Sequence, residues 1–562
     1  MTSTEGAKAP IVLFPSAGAA RSKSVFSRAM ELGPVHLVVR REKGGFGLRA
    51  TGDPDAAYEA AWSPSEFGSA DARALARAIR TLSPARVIVL HPQPGGRGCF
   101  WIEWAALRAG APAEVDDGNA RPMTRPRLLA SWALRGVGHR LLLAFEIVFA
   151  LAALALLRAL RWVAPLIGLA ARRLRHRRDP LRVTFLAFYP RSAAGARYRV
   201  HHWVERLKGI EGIDCRALEP SESAFHAATF GRGTPGGRSI YMVAVFLRRL
   251  TQLFRVAGDD VVVVRMALFP YFPYGGPAME EVLRRMGPRM IVDLDDAIHL
   301  YYQPPRSGNR LLSAIYEALR RPDRVARSIA MADAVIAGNP TLADYARRSR
   351  TDAKDVHIVP TCIDVDRYAA VDRSRDAGAP TVLGWVGTPW NLRHLDGIAP
   401  ALERIAATSE VELRVVSSAP HAIRGVKVEN RTWTLEREIE DLAEFDVGLM
   451  PLEAGEEPAS KCGFKALQFM ACGVPPVVTP LGANARIVTE GFDGLAPRSP
   501  AAWTSALERL VADPDLRSRL GDAAKETVRK RFSYRAHLPR MVAILRGDDP
   551  PEDPAYPDAP RS

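Results

Sequence analysis

Two lysines in one short segment, Lys461 and Lys465, have the type and spacing that most directly indicate chemistry in this sequence. They lie in the stretch KCGFKALQFMACGVPPVVTPLG, which covers residues 461–482. Residues four apart share a helix face, and ammonium groups on one face can bind the phosphate groups of a ligand. We predict a helix that Gly473 ends, followed by a buried strand. A core helix with two solvated lysines is the alternative interpretation.

Three aspartates form a second candidate cluster, in the segment DLDDAIH. Asp293, Asp295 and Asp296 follow a run of apolar residues that predicts a buried strand. Carboxylates at a strand end can orient a hydroxyl group or accept its proton. Capping of a helix by Asp295 or Asp296 is the plain alternative. The spacing of Asp293 and Asp295 also suits a divalent metal, but two carboxylates without further ligands are weak evidence for one, so we predict no metal site.

The elements that must position these residues alternate between strand and helix over most of the chain, which indicates an α/β fold. We expect two doubly wound, Rossmann-like domains joined by a hinge at 370–379, with a cleft between them. Ligands of such sheets bind at the carboxyl ends of the strands. The predicted parts are a small Rossmann-like α/β domain, a membrane-associated helical segment with basic flanks, the two main domains and a disordered tail, at 1–120, 121–180, 181–370, 380–546 and 547–562.

Composition narrows the class of protein. The chain has 562 residues, too many for one hydrophobic core, and 47% of them are hydrophobic. Its formal net charge is +15, which favours anionic partners such as phosphates or lipid headgroups. The five cysteines show no C-x-x-C spacing, so neither a disulfide framework nor a zinc site is indicated. Because the first residues lack the pattern of a signal peptide, we expect the folded parts in the cytoplasm.

An apolar run at residues 141–157, LLLAFEIVFALAALALL, predicts contact with a membrane. Seventeen helical residues reach about 25 Å, which is short for crossing a bilayer. Arginines flank the run on both sides, which favours a hairpin or a helix in the membrane interface over a single span. We therefore expect the protein at the cytoplasmic face of the cell membrane. A buried helical spacer is the alternative.

Residues 183–546 resemble the family 4 glycosyltransferases, also called group 1 glycosyltransferases, which have the GT-B fold. The resemblance rests on VPTCIDVDRY, on GWVGTP, and on FMACGVPPVV followed by LGANARIVTEGFDGLAP, in this order. It implies a retaining hexosyltransferase-type enzyme that takes a sugar from a nucleotide-sugar donor. It also implies that no metal and no other cofactor is needed.

On the acceptor side, the resemblance assigns roles to a glycine loop and to the aspartates. Gly195, Arg197 and Arg199 match the loop in which the family brings backbone close to donor phosphate and acceptor, although arginines on a solvated face are equally compatible with the pattern. Asp295 and Asp296 match the region near the reacting sugar, which makes them candidate catalytic residues.

On the donor side, the resemblance implies that Lys461 and Lys465 stabilise the diphosphate as it leaves, as catalytic and donor-binding residues. The other candidate donor-binding residues are Gly387, Thr388, Arg393, Trp433 and Gln468. The sequence departs from the family pattern here, because Ser460 and Gln468 occupy the positions of two glutamates that the family usually has. Gln468 can still hydrogen-bond ribose hydroxyls, whereas Ser460 offers no carboxylate.

These observations predict a membrane-associated glycosyltransferase that acts on a lipid-linked or cell-surface polysaccharide acceptor. A non-catalytic nucleotide-sugar-binding or scaffold protein on the same fold is the alternative, because the two glutamates are absent. Binding of nucleic acid is not expected, since no basic-aromatic motif accompanies the positive charge.

Overall fold

The computed structural model describes most of the chain from residue 180 onward and parts of the region before it. Its described residues are 11–14, 35–40, 46–51, 69–82, 84, 86–90, 108, 113–116, 120–123, 125–174, 180–231, 236–269, 277–300, 323–352, 355–369 and 378–556. The chain forms two compact units, Met1–Ala144 and Phe145–Ser562. The predicted hinge at 370–379 lies, up to residue 377, outside the described residues.

The first unit contains a mixed six-stranded sheet of order β3-β2-β1-β4-β5-β6. Its inner strands β2, β1, β4 and β5 pair in parallel, and β3 and β6 are antiparallel edges. This confirms the predicted small α/β domain. Its strands are Ile11–Phe14, Val35–Arg40, Phe46–Thr51, Arg86–Leu90, Ala113–Asp116 and Ala120–Met123, and its helix is Ser69–Leu82.

One continuous helix, Arg125–Arg173, follows the first sheet. Its 49 residues span about 70 Å. The predicted hairpin is therefore wrong for these residues, because the arginines that flank the apolar run do not interrupt the helix. The part Ala144–Arg173 is long and apolar enough to cross a membrane. Its most apolar stretch of 18 residues has a mean hydropathy of 2.0, and 28% of that stretch is buried in the protein.

The second sheet has six strands, all parallel, in the order β12-β11-β10-β9-β7-β8. Its strands β7 to β12 are Leu181–Leu186, Ile213–Leu218, Val261–Arg265, Arg289–Leu294, Ala334–Ala337 and Val356–Ile358. The helices of this half are Ala194–Ala196, Arg197–His201 (a π-helix), His202–Leu207, Ser223–His226, Ala227–Gly231 (π), Gly237–Val256, Ala278–Met286, Ile298–Leu300 (3₁₀), Arg324–Met331, Pro340–Arg348 and Val365–Ala369.

The third sheet has five parallel strands in the order β15-β14-β13-β16-β17. Its strands β13 to β17 are Thr381–Val386, Val411–Ser417, Val428–Thr432, Val447–Met450 and Pro476–Val478. Its helices are Pro389–Asn391 (3₁₀), Leu392–Asp396, Ala399–Thr408, Glu438–Ala443, Glu456–Ala459, Phe464–Cys472, Asn484–Ile487, Pro500–Ala512, Pro514–Arg531 and Tyr534–Arg546.

The two parallel sheets and their helices confirm the predicted pair of Rossmann-like layers. Below, "acceptor half" means the half built on the second sheet, and "donor half" means the half built on the third sheet. The acceptor half includes the strand Ile213–Leu218 and the helix Gly237–Val256. The helix Gly237–Val256 packs against the long helix Arg125–Arg173, as the contact between Phe149 and Phe246 shows.

The last helix, Tyr534–Arg546, belongs to the core of the acceptor half rather than to the donor half in which the sequence placed it. Tyr534, Met541 and Ile544 are buried in one cluster with Val183 and Val263 of the second sheet. The predicted boundary at 546 therefore changes: the chain crosses back to the acceptor half after residue 531.

The predicted disordered tail is wrong for residues 547–556. Tyr556 is buried and packs against Phe532, with ring centroids 5.9 Å apart. Arg531 donates a hydrogen bond to the carbonyl of Ala555 at 2.8 Å. The tail is rich in proline and acidic residues, but one buried aromatic ring and this arginine contact hold it on the protein. Residues 557–562 lie outside the described part of the chain.

Candidate active site

A cleft of about 210 Å³ lies between the acceptor half and the donor half. It is lined by residues from the ends of strands and the starts of helices in both halves, the place where α/β sheets bind ligands. Five predicted site residues line it together: Gly195, Asp295 and Asp296 from the acceptor half and Lys461 and Lys465 from the donor half. The other lining residues are Ala194, Tyr198, Thr361, Met450, Cys462, Gly463 and Phe464.

The two lysines reach the cleft from different elements. The helix begins at Phe464 rather than at Lys461, because Gly463 has a left-handed φ of +66° that ends the preceding turn. Lys461 lies in that turn and donates to Glu457 at 2.7 Å. Lys465 is in the first turn of the helix and donates to Gln468 at 2.8 Å. The shared helix face is therefore wrong, but both lysines line the cleft. Gly473 ends the helix as predicted, with φ +72°.

Asp295 is held by an arginine that the sequence analysis did not identify. Nη2 of Arg265 donates to both carboxylate oxygens of Asp295, at 2.8 and 2.7 Å. Both side chains are largely buried, with 6% and 11% of their surface exposed. Nε and Nη1 of Arg265 have no hydrogen-bond partner in the described structure. Buried donors of this kind are costly and mark a candidate functional site.

Gly195 makes room for this ion pair. A Cβ atom at position 195 would lie 2.0 Å from Nη2 of Arg265. A larger residue at position 195 would therefore have to displace the guanidinium group of Arg265. At the end of β9, Met266 has a φ of +62°, a conformation that non-glycine residues seldom adopt. Backbone strain beside Arg265 is consistent with a position that function constrains.

Asp296 lines the cleft and accepts a hydrogen bond from the backbone amide of Ala297 at 2.9 Å. A short 3₁₀-helix, Ile298–Leu300, follows it. Both predicted roles of this aspartate, local capping and exposure to the ligand site, are therefore compatible with its position.

Arg199 and Asp293 do not reach the cleft lining, which corrects the prediction for Arg199. The two side chains form a buried ion pair, with 1% and 4% of their surface exposed. Arg199 also donates to the carbonyls of Val359 and Pro360, at 2.6 and 2.8 Å. Because these acceptors occupy the guanidinium group, Arg199 stabilises the acceptor half rather than binding phosphate.

Arg197 also lies outside the cleft lining and instead connects the two halves. Its Nη1 donates to the carbonyl of Ser192 at 2.8 Å, and its Nη2 lies 3.6 Å from a carboxylate oxygen of Glu438 in the donor half. Its guanidinium group lies 5.7 Å from the ring centroid of Trp433. Trp433 therefore packs at the junction of the halves rather than on the cleft surface.

Gln468 is fully buried and does not line the cleft, which corrects its predicted contact with ribose. Its amide nitrogen donates to the hydroxyl of Tyr368 at 2.8 Å, and its oxygen accepts from Lys465. Tyr198 continues this network, because its hydroxyl donates to Glu438 at 2.9 Å. Burial and Glu438 raise the pKa of Tyr198 to about 12, which keeps the hydroxyl protonated.

Burial and the charged members of this network shift the pKa of Lys465. Burial lowers the pKa of Lys465 from its usual 10.5, while the nearby Glu438 raises it and Arg197 lowers it. Glu438 is buried and places a carboxylate close to Lys465 and Arg197, although Ser460 and Gln468 supply none. Lys465 is thus a partly buried ammonium group in the lining of the cleft.

The backbone of Ser460 makes a hydrogen bond between the two halves. Nδ2 of Asn339 in the acceptor half donates to the carbonyl of Ser460 at 2.8 Å. The neighbouring thiol of Cys462 donates to the carbonyl of Asp295 at 3.2 Å. The turn that carries Lys461 is therefore fastened to the loop that carries Asp295.

Three other predicted donor-binding residues, Gly387, Thr388 and Arg393, do not line this cleft. The amide of Gly387 donates to the carbonyl of Val416 at 3.2 Å, so it is not available to a diphosphate in this arrangement. Arg393 lies 3.4 Å from Glu457 and 3.5 Å from Glu453. Glu457 contacts both Arg393 and Lys461, so Arg393 pairs with the carboxylate that also holds Lys461.

Sequence reasoning missed Arg265, Glu438, Tyr368 and Asn339. Arg265 ends the apolar run VVVV, and a charged residue at the end of a buried strand is a signal that points to the same sheet edge as the aspartates. The other three stand in ordinary helical or loop sequence and carry no comparable signal. Within the described residues, no group of three or more His, Cys, Asp or Glu side chains is arranged to hold a metal ion.

The sequence has relatives among characterised proteins. The chain is 30% identical over 209 residues to D-inositol 3-phosphate glycosyltransferase of Corynebacterium jeikeium (strain K411), covering 32% of this chain and 49% of that protein. It is 27% identical over 247 residues to the protein of the same name from Xylanimonas cellulosilytica, covering 38% and 57%. The chain thus spans about half the length of these curated relatives.

Among solved structures, the catalytic domain of starch synthase IV from Arabidopsis thaliana, bound to ADP and acarbose, superposes with a TM-score of 0.48 at 14% identity, covering 66% of this chain and 99% of that one. Sucrose-phosphate synthase from Thermosynechococcus elongatus gives 0.46 at 15% identity, with the same coverages. The family model "Glycosyl transferases group 1" matches residues 380–513, which include Lys461 and Lys465. Over residues 380–513, the donor half of this chain is therefore similar to the group 1 glycosyltransferases.

Proposed function

We propose that this protein transfers a sugar from a nucleotide-sugar donor to an acceptor hydroxyl in the cleft between its two halves. The observation that carries the proposal is the meeting of Lys461 and Lys465 with Asp295 and Gly195 around one cavity. Cations on one wall and a carboxylate on the other suit a reaction in which a diphosphate leaves and a hydroxyl attacks.

The lysines serve the donor. As the bond between the sugar and the diphosphate breaks, negative charge grows on the diphosphate oxygens. Lys461 and Lys465 stabilise that charge, and the partial burial of Lys465 weakens screening by water there. Glu457 and Gln468 hold the two ammonium groups in position.

Asp295 serves the acceptor. Its two oxygens accept from one guanidinium nitrogen of Arg265, which fixes the carboxylate and leaves lone pairs for a further hydrogen bond. We propose that Asp295 orients the acceptor hydroxyl, which attacks from the face that the diphosphate leaves. The diphosphate oxygens assist its deprotonation, so the configuration of the sugar is retained.

We further propose that transfer needs no metal. Asp293 and Asp295 have the spacing of a metal-binding pair, but each already has an arginine partner, Arg199 and Arg265. Transfer that stops in the presence of a chelator and returns with Mg²⁺ or Mn²⁺ would contradict this part of the proposal.

For the acceptor, we propose a lipid-linked or cell-surface polysaccharide at the cytoplasmic face of the cell membrane. The long apolar helix supports this location, because Ala144–Arg173 leaves most of its apolar surface outside the protein core. Sugars carried on lipids are available to an enzyme that stays at that surface.

The test is a survey of UDP-, GDP- and ADP-sugars for binding and for transfer or slow hydrolysis by the purified protein. We expect turnover with one donor class and its loss in Lys461→Ala. Lys427→Ala is the matched control, because this exposed lysine of the donor half pairs with Glu412 away from the cleft. Tight binding of a donor without any turnover would favour a non-catalytic nucleotide-sugar-binding protein instead.

A further inference from the structure

Two helices of the Phe145–Ser562 unit leave large apolar side chains uncovered. On the helix Arg125–Arg173, the exposed fraction is 65% for Val148, 72% for Trp162 and 67% for Leu166. On the helix Gly237–Val256, it is 59% for Ile240, 55% for Leu247 and 49% for Phe254. Further exposed apolar side chains on the first helix are Phe145, Leu151, Leu156, Val163 and Leu169.

The two helices run side by side in the same direction. Ser239 donates to Glu146 at 3.0 Å, and Phe149 packs on Phe246 with ring centroids 5.3 Å apart. Near the other end, Ala171 is in contact range of Gly258. The residue numbers of the contacting pairs increase along both helices in the same direction, so the two helices are parallel.

Helical geometry places the exposed apolar side chains of both helices on one surface. Ile240, Leu247 and Phe254 repeat every seven residues and therefore form one stripe. Leu247 lies about 100° around the helix from Phe246, which touches the first helix. On the first helix, Val148 is offset by a similar angle, in the opposite sense, from Phe149. We name this joint surface, from Phe145 to Leu169 and from Ile240 to Phe254, the apolar plate.

The opposite side of the first helix is fixed to the acceptor half. Ala150, Leu154, Leu157 and Ala164 are buried in its core. A Cβ atom at Gly168 would lie 1.8 Å from the carbonyl oxygen of Met286, so backbone packs against backbone there. Crossing a bilayer would require the helix to give up this buried face, whereas lying flat on a membrane would not.

The charges around the plate suit an anionic surface. The exposed charged side chains of these two helical stretches are arginines: Arg158, Arg172, Arg173, Arg238, Arg248 and Arg255. Arg172 donates to the carbonyl of Met286, and Arg238 lies about 200° around its helix from Ile240, so the other four border the plate. Glu146 is the acidic residue within them, and it is engaged by Ser239. Arginines beside an exposed apolar face bind anionic headgroups while the apolar side chains enter the acyl boundary.

We propose that the apolar plate is a monotopic membrane-binding surface: it inserts into one leaflet of a bilayer that contains anionic lipid and does not cross it. This inference depends on no step of the proposed transfer reaction. It replaces the single span, which the length and composition of Ala144–Arg173 also permit, with a surface built from two helices.

Vesicle flotation tests the proposal with the full chain. We expect flotation with vesicles of phosphatidylcholine and phosphatidylglycerol, weaker flotation with phosphatidylcholine alone, and a decrease with added salt. Leu166→Asp and Leu247→Asp should each weaken binding by about tenfold or more, because an apolar contact is lost and a repelled charge is gained. Phe492→Asp, at a side chain that is 60% exposed in the donor half, should bind as the unchanged protein does.

Equal flotation of Leu247→Asp and the unchanged protein would overturn the two-helix surface. Circular dichroism and urea unfolding of every variant report folding without any ligand, so a failure of the membrane surface is distinguished from a failure of the proposed transfer function.

Depth separates the leaflet surface from a span. In a Cys99→Ser background, a fluorophore on Leu156→Cys should be quenched more by a nitroxide near the headgroup than by one at the end of the acyl chain. Strongest quenching by the deep nitroxide would show a span and overturn the proposal. The remaining four cysteines are buried and do not compete for the label.

Discussion

At the scale of single residues, the cleft depends on charged side chains that are held by neighbouring side chains. Asp295 faces the cleft but is held by Arg265, and Lys465 faces it but is held by Gln468. Neither partner lines the cavity. Both are positioning residues, and changes to them should alter chemistry without removing a ligand contact.

Arg265→Met tests the first of these pairs. It leaves the carboxylate of Asp295 largely buried without its cation, which should cost about 3 kcal/mol in the free energy of unfolding. Arg284→Met is the control, because its ion pair with Asp333 is exposed and should contribute less than about 1 kcal/mol. Urea unfolding of both variants measures the difference, and equal costs would show that the buried pair has no special role.

The lowered pKa of Lys465 predicts how the rate of transfer depends on pH. Burial lowers its pKa from 10.5, so its positive charge is present at low pH and is lost at a lower pH than for an ordinary lysine. The alkaline limb of kcat/KM should therefore fall below that value. Glu438 raises the pKa of Lys465, so Glu438→Gln should move the limb to still lower pH. Glu440→Gln, on the exposed side of the same helix, should leave it in place; an unmoved limb in Glu438→Gln would contradict the assignment.

At the scale of elements, the start of the helical segment 194–207 is pressed against the end of β9. Gly195→Ala would bring a Cβ atom within 2.0 Å of Arg265 and should displace the guanidinium group from Asp295. We expect a loss of transfer of about tenfold or more with nucleotide binding retained. Gly209→Ala is the control, because its nearest neighbour is 3.9 Å away. Full activity in Gly195→Ala would show that this close approach does not matter.

A substitution in the final helix, Tyr534–Arg546, tests whether this helix stabilises the acceptor half. Ile544 is fully buried in the core of the acceptor half, so Ile544→Ala should cost about 2–5 kcal/mol in the free energy of unfolding. Leu435→Ala, at a side chain that is 38% exposed, should cost much less. Chemical denaturation measures both values. A negligible cost at Ile544 would contradict the packing of this helix in the core of the acceptor half.

Much of this element structure could be predicted from the sequence, for reasons that also explain the failures. Buried parallel strands such as Val261–Arg265 are continuous apolar runs, and Gly473 carries the left-handed φ that its position at a helix end predicts. Local signals of this kind carry no information on long-range contacts. Tyr534 donating to the carbonyl of Tyr198 is one such contact, and it decides to which half the last helix belongs.

In the candidate site, too, local signals could be predicted from the sequence and long-range contacts could not. Lys461, Lys465, Asp295 and Gly195 could be found because their types and positions at strand ends and helix starts are visible in the sequence. Gln468 and Arg199 were assigned to ligands, but they are buried against protein partners. A polar residue that binds a ligand and one that binds a neighbouring element read alike until the fold brings the partner close.

At the scale of the whole molecule, the unit Phe145–Ser562 combines a cleft with contacts that hold its two halves together. Asn339 binds Ser460 across the junction, and Tyr198 binds Glu438. These contacts lie directly behind the residues that line the cleft. A ligand that closes or opens the halves must therefore rearrange the network around Lys465, which couples ligand binding to the relative position of the halves.

The central claim is that this cleft binds the diphosphate of a nucleotide-sugar through Lys461 and Lys465. Calorimetric titration of the full chain with UDP, GDP and ADP tests it most directly. We expect one nucleotide to bind, with affinity about tenfold or more weaker in Lys465→Met and unchanged in Lys427→Met, because a charge-assisted contact to phosphate is removed only in the first. Equal affinity in the two variants, or no binding of any nucleotide, would contradict the account.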